Sequence, residues 1–302
     1  MPRAPRRPPQ LRGRVFRGST AVSRGVRIRN DLRSSAWRPL FRDVYADARL
    51  TVTHAIRCAA VGRWLLPPGA AIADRAAAGL YGCPSPRAGE PVDVLVPADS
   101  RIGPTAGIRV HHGQIDSGDI MDRAGITVTS PARTCWDVAR WLDVVEAVVV
   151  IDALLALRLT TMPALREYAL SRAGRRGWRS LSRAVDLADA GAESPQESRT
   201  RVRLVLAGLP RPETQWVVAD QGRFVARLDL AWPRFRVAVE YDGLWHDDPE
   251  QFHRDRRRLN RLLGGDWIVL HVAAKRLRDD FDGFLAEVRA ALRSRSGSRD
   301  LR

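Results

Sequence analysis

Asp229, Glu240 and Asp242 fall within the stretch RFVARLDLAWPRFRVAVEYDGLWH, and their types and spacing are those of a cation-binding face. Pro233 cannot continue a central strand, so Trp232 to Phe235 read as a turn between two strands. If residues 231 and 236 flank that turn, Asp229 falls opposite Ala238. Side chains alternate along a strand, which puts Asp229, Glu240 and Asp242 on one face and Val237, Val239 and Tyr241 on the other. Asp229 and Glu240 are then diagonal neighbours, roughly 7–8 Å apart at the backbone and within reach of one ion. The same spacing also describes an amphipathic strand pair whose acids stand in solvent beside Arg227 and Arg236.

Three carboxylates on one face repel one another unless a cation sits between them. An oxygen-rich set of this kind suits Mg2+ or Mn2+. A metal so placed can polarise a phosphoryl oxygen, activate water and stabilise a leaving oxyanion. The charge of the chain says which phosphate. Fifty Lys+Arg against 34 Asp+Glu give a net charge of +16 over 302 residues. Thirteen arginines and three aspartates lie in the first 49 residues, so most of the excess is N-terminal. Such asymmetry predicts a polyanionic partner, DNA, with a phosphodiester as substrate.

Around the acidic stretch the last third reads as helix (SPQESRTRVRLVLAGL), strands at 214–219, 222–230 and 236–242, a helix at 249–263, a strand at 267–272 and a closing helix at 282–292. That order predicts a compact α/β domain with a mixed sheet, and the junction near Gly191 is its expected boundary. Upstream, residues 1–16 are Pro/Arg-rich without period and read as a disordered basic arm, as does the tail 293–302. Residues 17–50 give two short helical stretches broken at Gly25 and a strand pair, the order of a winged helix-turn-helix. Arg24, Arg27, Arg29, Asn30 and Arg33 are its candidate DNA contacts. The middle, 51–190, reads as helices plus strands near 92–96, 108–112 and 126–128. A further helix starts at Pro131 with Ser130 as N-cap. No chemistry is assigned to this region, and the whole chain is expected to be a mixed α/β (α+β) protein.

Several classes are excluded. No apolar run reaches the ~18 residues of a membrane span; the longest, Ala147 to Leu157, is interrupted by Asp152. The Arg- and Pro-rich N-terminus lacks the apolar core of a signal peptide. Cys58, Cys83 and Cys135 are odd in number and far apart, neither a disulfide framework nor a zinc pair. A soluble protein of a reducing cytoplasm is expected.

The segment AESPQES, RLDLAWPRFRVAVEYDGLWH and FHRDRRRLNRLLGGDWIVLHV, taken in this order, resembles the very-short-patch-repair-like branch of the PD-(D/E)XK nucleases. The upstream GITVTSPARTCWDVAR is similar to the AbiEi family of transcriptional antitoxins. Together the two resemblances cover most of residues 17–292. The first implies a restriction-endonuclease-like domain over 191–292 with a bound Mg2+ or Mn2+. In it Asp229 would bind the metal, Glu240 and Asp242 would supply the second acidic position, and His246 would lie near the attacking water. Asp255, Arg258 and Asn260 would support the site, and Glu197 would face it from the first helix. The signature lysine is absent, Asp242 standing in its place, as in the very-short-patch-repair-like branch.

Each residue also has a plainer reading. Glu197 lies three residues after Ser194, the spacing of a capping box. His246 could be a packed histidine beside Trp245, and Asp255 a salt-bridged helix residue among arginines. His111 and His112 are adjacent on a strand and point to opposite faces, so they cannot chelate together. Two functions are thus in play: a Mg2+-dependent DNA endonuclease, and a DNA-binding regulator of antitoxin type with a non-catalytic nuclease-like body. Partnership with a protein of a toxin–antitoxin or defence locus is a third, weaker expectation.

Overall fold

The computed structural model describes residues 7–26, 29–100, 102–242 and 266–296. The chain is a mixed α/β protein with mixed sheets. It divides into two compact units, Met1–Trp141 with Pro163–Leu181, and Leu142–Met162 with Ser182–Arg302. No helix among the described residues is long and apolar enough to cross a membrane.

The first unit opens with a small sheet. β1 (Val15–Arg17), α1 (Gly18–Ser23), a 3-10 turn (Arg29–Arg33), β2 (Trp37–Phe41) and β3 (Val44–Asp47) follow in sequence, and the strand order is β1-β3-β2. Leu11, Phe16, Ala21, Leu32, Ala36 and Trp37 form its core, with Phe16 edge-on to Trp37 at 5.1 Å. The reading of residues 1–16 as a disordered arm is therefore corrected from residue 9 onward. Pro9–Leu11 make a 3-10 turn, and Leu11 and Phe16 are buried in that core. A three-residue strand among prolines and arginines leaves no periodicity for the sequence to display.

The rest of this unit is built on a five-stranded sheet. α2 (His54–Trp64), β4 (Ala71–Ile72), α3 (Asp74–Tyr81), β5 (Val92–Pro97), β6 (Ile108–Gly113), β7 (Ile120–Arg123), β8 (Ile126–Thr129) and α4 (Pro131–Trp141) give the strand order β6-β5-β4-β8-β7. β5 and β6 are parallel, as are β4 and β8. Val92, Val94, Leu95 and Val96 are fully buried, as the apolar run of a central strand covered on both faces requires. His54 is buried at the start of α2, its Nε2 3.3 Å from the Pro91 carbonyl.

The second unit contains α5 (Val144–Ala156), α8 (Pro195–Leu206), β9 (Glu213–Asp220), β10 (Arg223–Trp232), β11 (Val237–Asp242), β12 (Ile268–Ala273), α9 (Ala274–Asp279) and α10 (Phe281–Arg295). α6 (Met162–Leu170) and α7 (Trp178–Leu187) are the elements in which the division falls. The unit thus begins upstream of Gly191, because α5 packs on α8. Asp152, which interrupts the apolar run of α5, explains why. It accepts hydrogen bonds from Arg201 Nη2 at 2.6 Å, Ser198 Oγ at 2.6 Å and Asp189 N at 2.7 Å. A buried charge in an apolar helix is tolerated only with such partners. The closing helix runs to Arg295, three residues into the expected tail.

The sheet of this unit has the order β12-β11-β10-β9, with β11 and β12 parallel and the other pairs antiparallel. Leu230, Trp232, Val237, Val239 and Val272 pack on one face with residues of α8 and α10 such as Leu204, Phe284, Val288 and Leu292. That apolar face fixes the other: Ala231, Ala238 and Val269 point away from it, and Asp229, Glu240, Asp242 and His271 share their side by alternation.

Candidate functional site

The turn that joins β10 to β11 has the expected four residues but lies one residue further along the chain. Pro233–Phe235 form a 3-10 turn and Arg236 closes it in the left-handed region, φ 51°. Trp232 consequently pairs with Val237, Ala231 with Ala238 and Leu230 with Val239. The expectation that Asp229 stands opposite Ala238 is corrected by two residues, and the register continued from Leu230–Val239 places it opposite Glu240. A shift of two preserves the face, so the two acids still share one side, directly across rather than diagonally.

The paired ladder stops at Leu230 and Val239. Beyond it, Asp229 Oδ2 accepts a hydrogen bond from the Tyr241 backbone N–H at 2.9 Å. A side chain here takes a main-chain donor of the neighbouring strand, which anchors the Asp229 carboxylate at the point where the strands part. Glu240 is buried, and Asp242 is half-buried. On the parallel partner strand, Glu240 is in register with His271, and His271 Nδ1 lies 3.0 Å from Asp242 Oδ1. The sequence reading assigned His271 no role, because it becomes a neighbour only through the parallel β11–β12 pairing.

Glu197 reaches the same neighbourhood from the first turn of α8. Of the capping box only the Ser194 half forms: Ser194 Oγ accepts the Glu197 N–H at 3.2 Å, while Glu197 Oε2 reaches one residue further back, accepting from Glu193 N at 3.0 Å and from Gln215 Nε2 at 2.9 Å. Burial pushes its carboxyl above the usual range, the Glu193, Ser194 and Gln215 bonds pull it down, and the charge of Asp229 adds to the upward push. Glu197 thus ties the start of α8 to Gln215 of β9 and lies within range of the Asp229 charge. The flanking arginines are engaged with other acids, Arg227 with Glu193 at 2.7 Å and Arg236 with Asp266 at 3.9 Å. His246, Asp255, Arg258 and Asn260 lie outside the described residues.

Among the described residues, three ligand-type atoms come within 4.8 Å of one another at one place, and it is in the other unit: Asp74, Asp93 and His111. Asp74 opens α3 with φ 53° and is almost completely buried. Asp93 on β5 and His111 on β6 project from the same face of a parallel pair, two residues apart in register. His111 Nε2 lies 2.8 Å from Asp93 Oδ1, which also receives Arg109 Nη1 at 3.2 Å. The His111 ring is stacked on Trp141, centroids 3.6 Å apart and planes 9° from parallel. Burial pushes the Asp74 carboxyl up to about 6, with the charge of Asp93 adding to it. Asp137 on α4 is raised to about 7 by burial despite its bond to Arg133. The sequence reading gave this region no chemistry, and the separations of 19 and 18 residues carry no motif.

Beside it a basic cleft of about 350 Å³ is lined by Trp136 and by Arg133, Arg140, Arg172, Arg175 and Arg176. Arg133 and Arg172 both bind Asp119, at 2.6 and 2.7 Å, and Arg175 binds Asp116 at 3.1 Å. In the N-terminal sheet, Arg24 ends α1 and Arg33 ends the 3-10 turn, both exposed. Arg27 and the side chains of Arg29 and Asn30 lie outside the described residues.

Over 179 residues the chain is 32% identical to the Uncharacterized protein MT2308 of Mycobacterium tuberculosis strain CDC 1551 / Oshkosh. It is equally similar to the Uncharacterized protein Rv2248 of strain ATCC 25618 / H37Rv. The match covers 59% of this chain and 65% of each relative, so the chain spans less than two thirds of their length. No family model and no solved structure matches the chain. What the comparisons give is similarity to two mycobacterial proteins whose names carry no activity.

Proposed function

We propose that the protein is a divalent-metal-dependent DNA endonuclease whose site lies on the β10–β11–β12 face. The observation that carries this reading is the placement of Asp229 across from Glu240 on one sheet face, with Glu197 close enough for the Asp229 charge to act on it. The donor set is oxygen-rich and partly desolvated, which fits a hard divalent cation such as Mg2+ or Mn2+. Asp229 and Glu240 would hold the ion, and it would supply charge to a phosphoryl oxygen and acidify a bound water.

The residues themselves do the remaining work. The Tyr241 N–H fixes the Asp229 carboxylate. The Asp242 carboxylate holds His271 by Nδ1, which would fix the tautomer and leave Nε2 as the nitrogen available for proton transfer. His246 retains the water-side role that the nuclease resemblance implies. Exposed Arg24 and Arg33 and the arginine cleft in the first unit would bind the phosphate backbone. Three buried cysteines, the Cys58 thiol pushed up to about 12 and the Cys83 thiol to about 11 by burial, suit a reducing cytoplasm.

A second reading is favoured by one observation, the β1-β3-β2 sheet whose first strand precedes a short helix and a 3-10 turn and whose other two strands follow them, the strand order of a wing. On that reading the chain is a DNA-binding regulator of antitoxin type and its C-terminal unit is a non-catalytic body, with a toxin as protein partner. Supercoiled plasmid incubated with the purified full chain and Mg2+ or Mn2+ separates the two. Nicking that disappears in Asp229→Ala supports the nuclease. Plasmid left intact by a chain that binds its own promoter supports the regulator.

A further inference from the structure

We propose that Asp74, Asp93 and His111 form a second cation site, distinct from the β10–β11 face, that takes a divalent transition ion of the Zn2+ type. The three residues come from α3, β5 and β6, yet one ligand atom of each lies within 4.8 Å of the other two. Proximity of acids alone is common. What sets this cluster apart is that Asp74 Oδ1 is buried with no hydrogen-bond partner although the residue is only 1% exposed. A carboxylate oxygen is an acceptor only and does not stay dry and unengaged without cost. The positive group that this oxygen lacks is supplied by an ion bridging it to Asp93 and His111.

The surroundings fit the demand. Asp93 Oδ1 and His111 Nε2 stand 2.8 Å apart, and tetrahedral ligands at zinc stand roughly 3.3 Å apart, so a small outward movement admits the ion. The stacked Trp141 ring holds the imidazole plane, the kind of outer support that orients metal-bound histidines. Arg109 touches the same Asp93 oxygen, but its side chain is about half exposed and can swing into solvent. Asp137 Oδ2, also buried and without a partner, is a further acid near the site. An imidazole nitrogen with two carboxylates favours Zn2+, Co2+ or Mn2+ over Mg2+ and Ca2+, and three protein ligands leave a position open for water or a ligand.

The test uses the full chain stripped with EDTA and then titrated with Co2+, followed by visible d–d absorption and by quenching of tryptophan fluorescence. The expected result is one high-affinity equivalent, displaced by Zn2+, with the quenching reduced in Trp141→Phe. Asp74→Asn and His111→Gln each weaken Co2+ binding at least tenfold, and His111→Gln, at a partly exposed position, serves if Asp74→Asn does not fold. Asp229→Ala leaves this binding unchanged, so failure of the proposed nuclease and failure of this site are read separately. Absence of Co2+ absorption in the wild type, or equal binding by folded Asp74→Asn and His111→Gln, overturns the proposal.

Discussion

Asp229 Oδ2 accepts a hydrogen bond from the backbone N–H of Tyr241 at 2.9 Å, just past the last paired residues of β10 and β11. Strand separation at that point exposes a main-chain donor, and the carboxylate that satisfies it belongs to the residue opposite Glu240 in the continued register. The same contact therefore builds the fold and fixes the first acid of the proposed site. Substitutions there must be judged by folding as well as by cleavage.

DNA binding is predicted to be strongly salt-dependent, because each phosphate contact releases counterions. The double variant Arg24→Ala/Arg33→Ala should reduce the slope of log K against log salt by about 2. Fluorescence anisotropy with a labelled duplex at several salt concentrations reads this directly. An unchanged slope would remove the N-terminal sheet from the DNA interface.

The ion pair between Arg201 and Asp152 is buried on both sides, side chains 1% and 2% exposed. Arg201→Met leaves the Asp152 carboxylate without its cation and should cost about 3–5 kcal/mol. Adding Asp152→Asn should recover part of that loss. Denaturant unfolding of the two variants checks the expectation, and a loss below about 1 kcal/mol for Arg201→Met would contradict it.

Asp119 gives a signed pH dependence. Its burial would raise the carboxyl, but Tyr168, the Asp116 N–H and Arg133 outweigh burial and hold it below 3.8. A lowered carboxyl contributes stability that is present above the unfolded value near 3.8 and is lost as pH falls through the folded value. Asp119→Asn should therefore destabilise by about 3 kcal/mol at pH 7, and the difference from wild type should shrink below pH 4. Thermal melts of both proteins between pH 3 and 8 test this; a constant difference would rule it out.

Gly62 is interior to α2, where alanine is normally better by about 1 kcal/mol. A Cβ there would meet Ile126 Cγ2 at 2.4 Å. Gly62→Ala is predicted to destabilise by about 1–3 kcal/mol through overpacking, and to become neutral or favourable in an Ile126→Ala background. Additive effects in the double variant would refute the contact as the cause.

Strands and their faces were legible where apolar periodicity was long. Val92–Val96, Ile108–His112 and the β10–β11 pair follow from it, and so does the common side of Asp229, Glu240 and Asp242. Register was not, because it depended on Arg236 adopting a left-handed turn, for which its sequence neighbours give no signal. The parity of the strand survived that error, which is why the acids still share one face. Asp152 read as a break in an apolar run, whereas its partner Arg201 lies 49 residues away and is brought close only by packing. Asp74, Asp93 and His111 belong to three elements with no shared spacing, so only tertiary structure assembles them.

The central claim is metal-dependent phosphodiester cleavage at Asp229 and Glu240. The most direct measurement is nicking of supercoiled plasmid by wild type, Asp229→Ala and Glu240→Gln, each with Mg2+, Mn2+ or EDTA, alongside DNA binding and thermal melts. The account predicts metal-dependent nicking by wild type, abolished by EDTA. It predicts at least a hundredfold loss in both variants with DNA affinity and folding retained. Nicking that persists in Asp229→Ala, or intact plasmid with wild type under every metal condition, would contradict it.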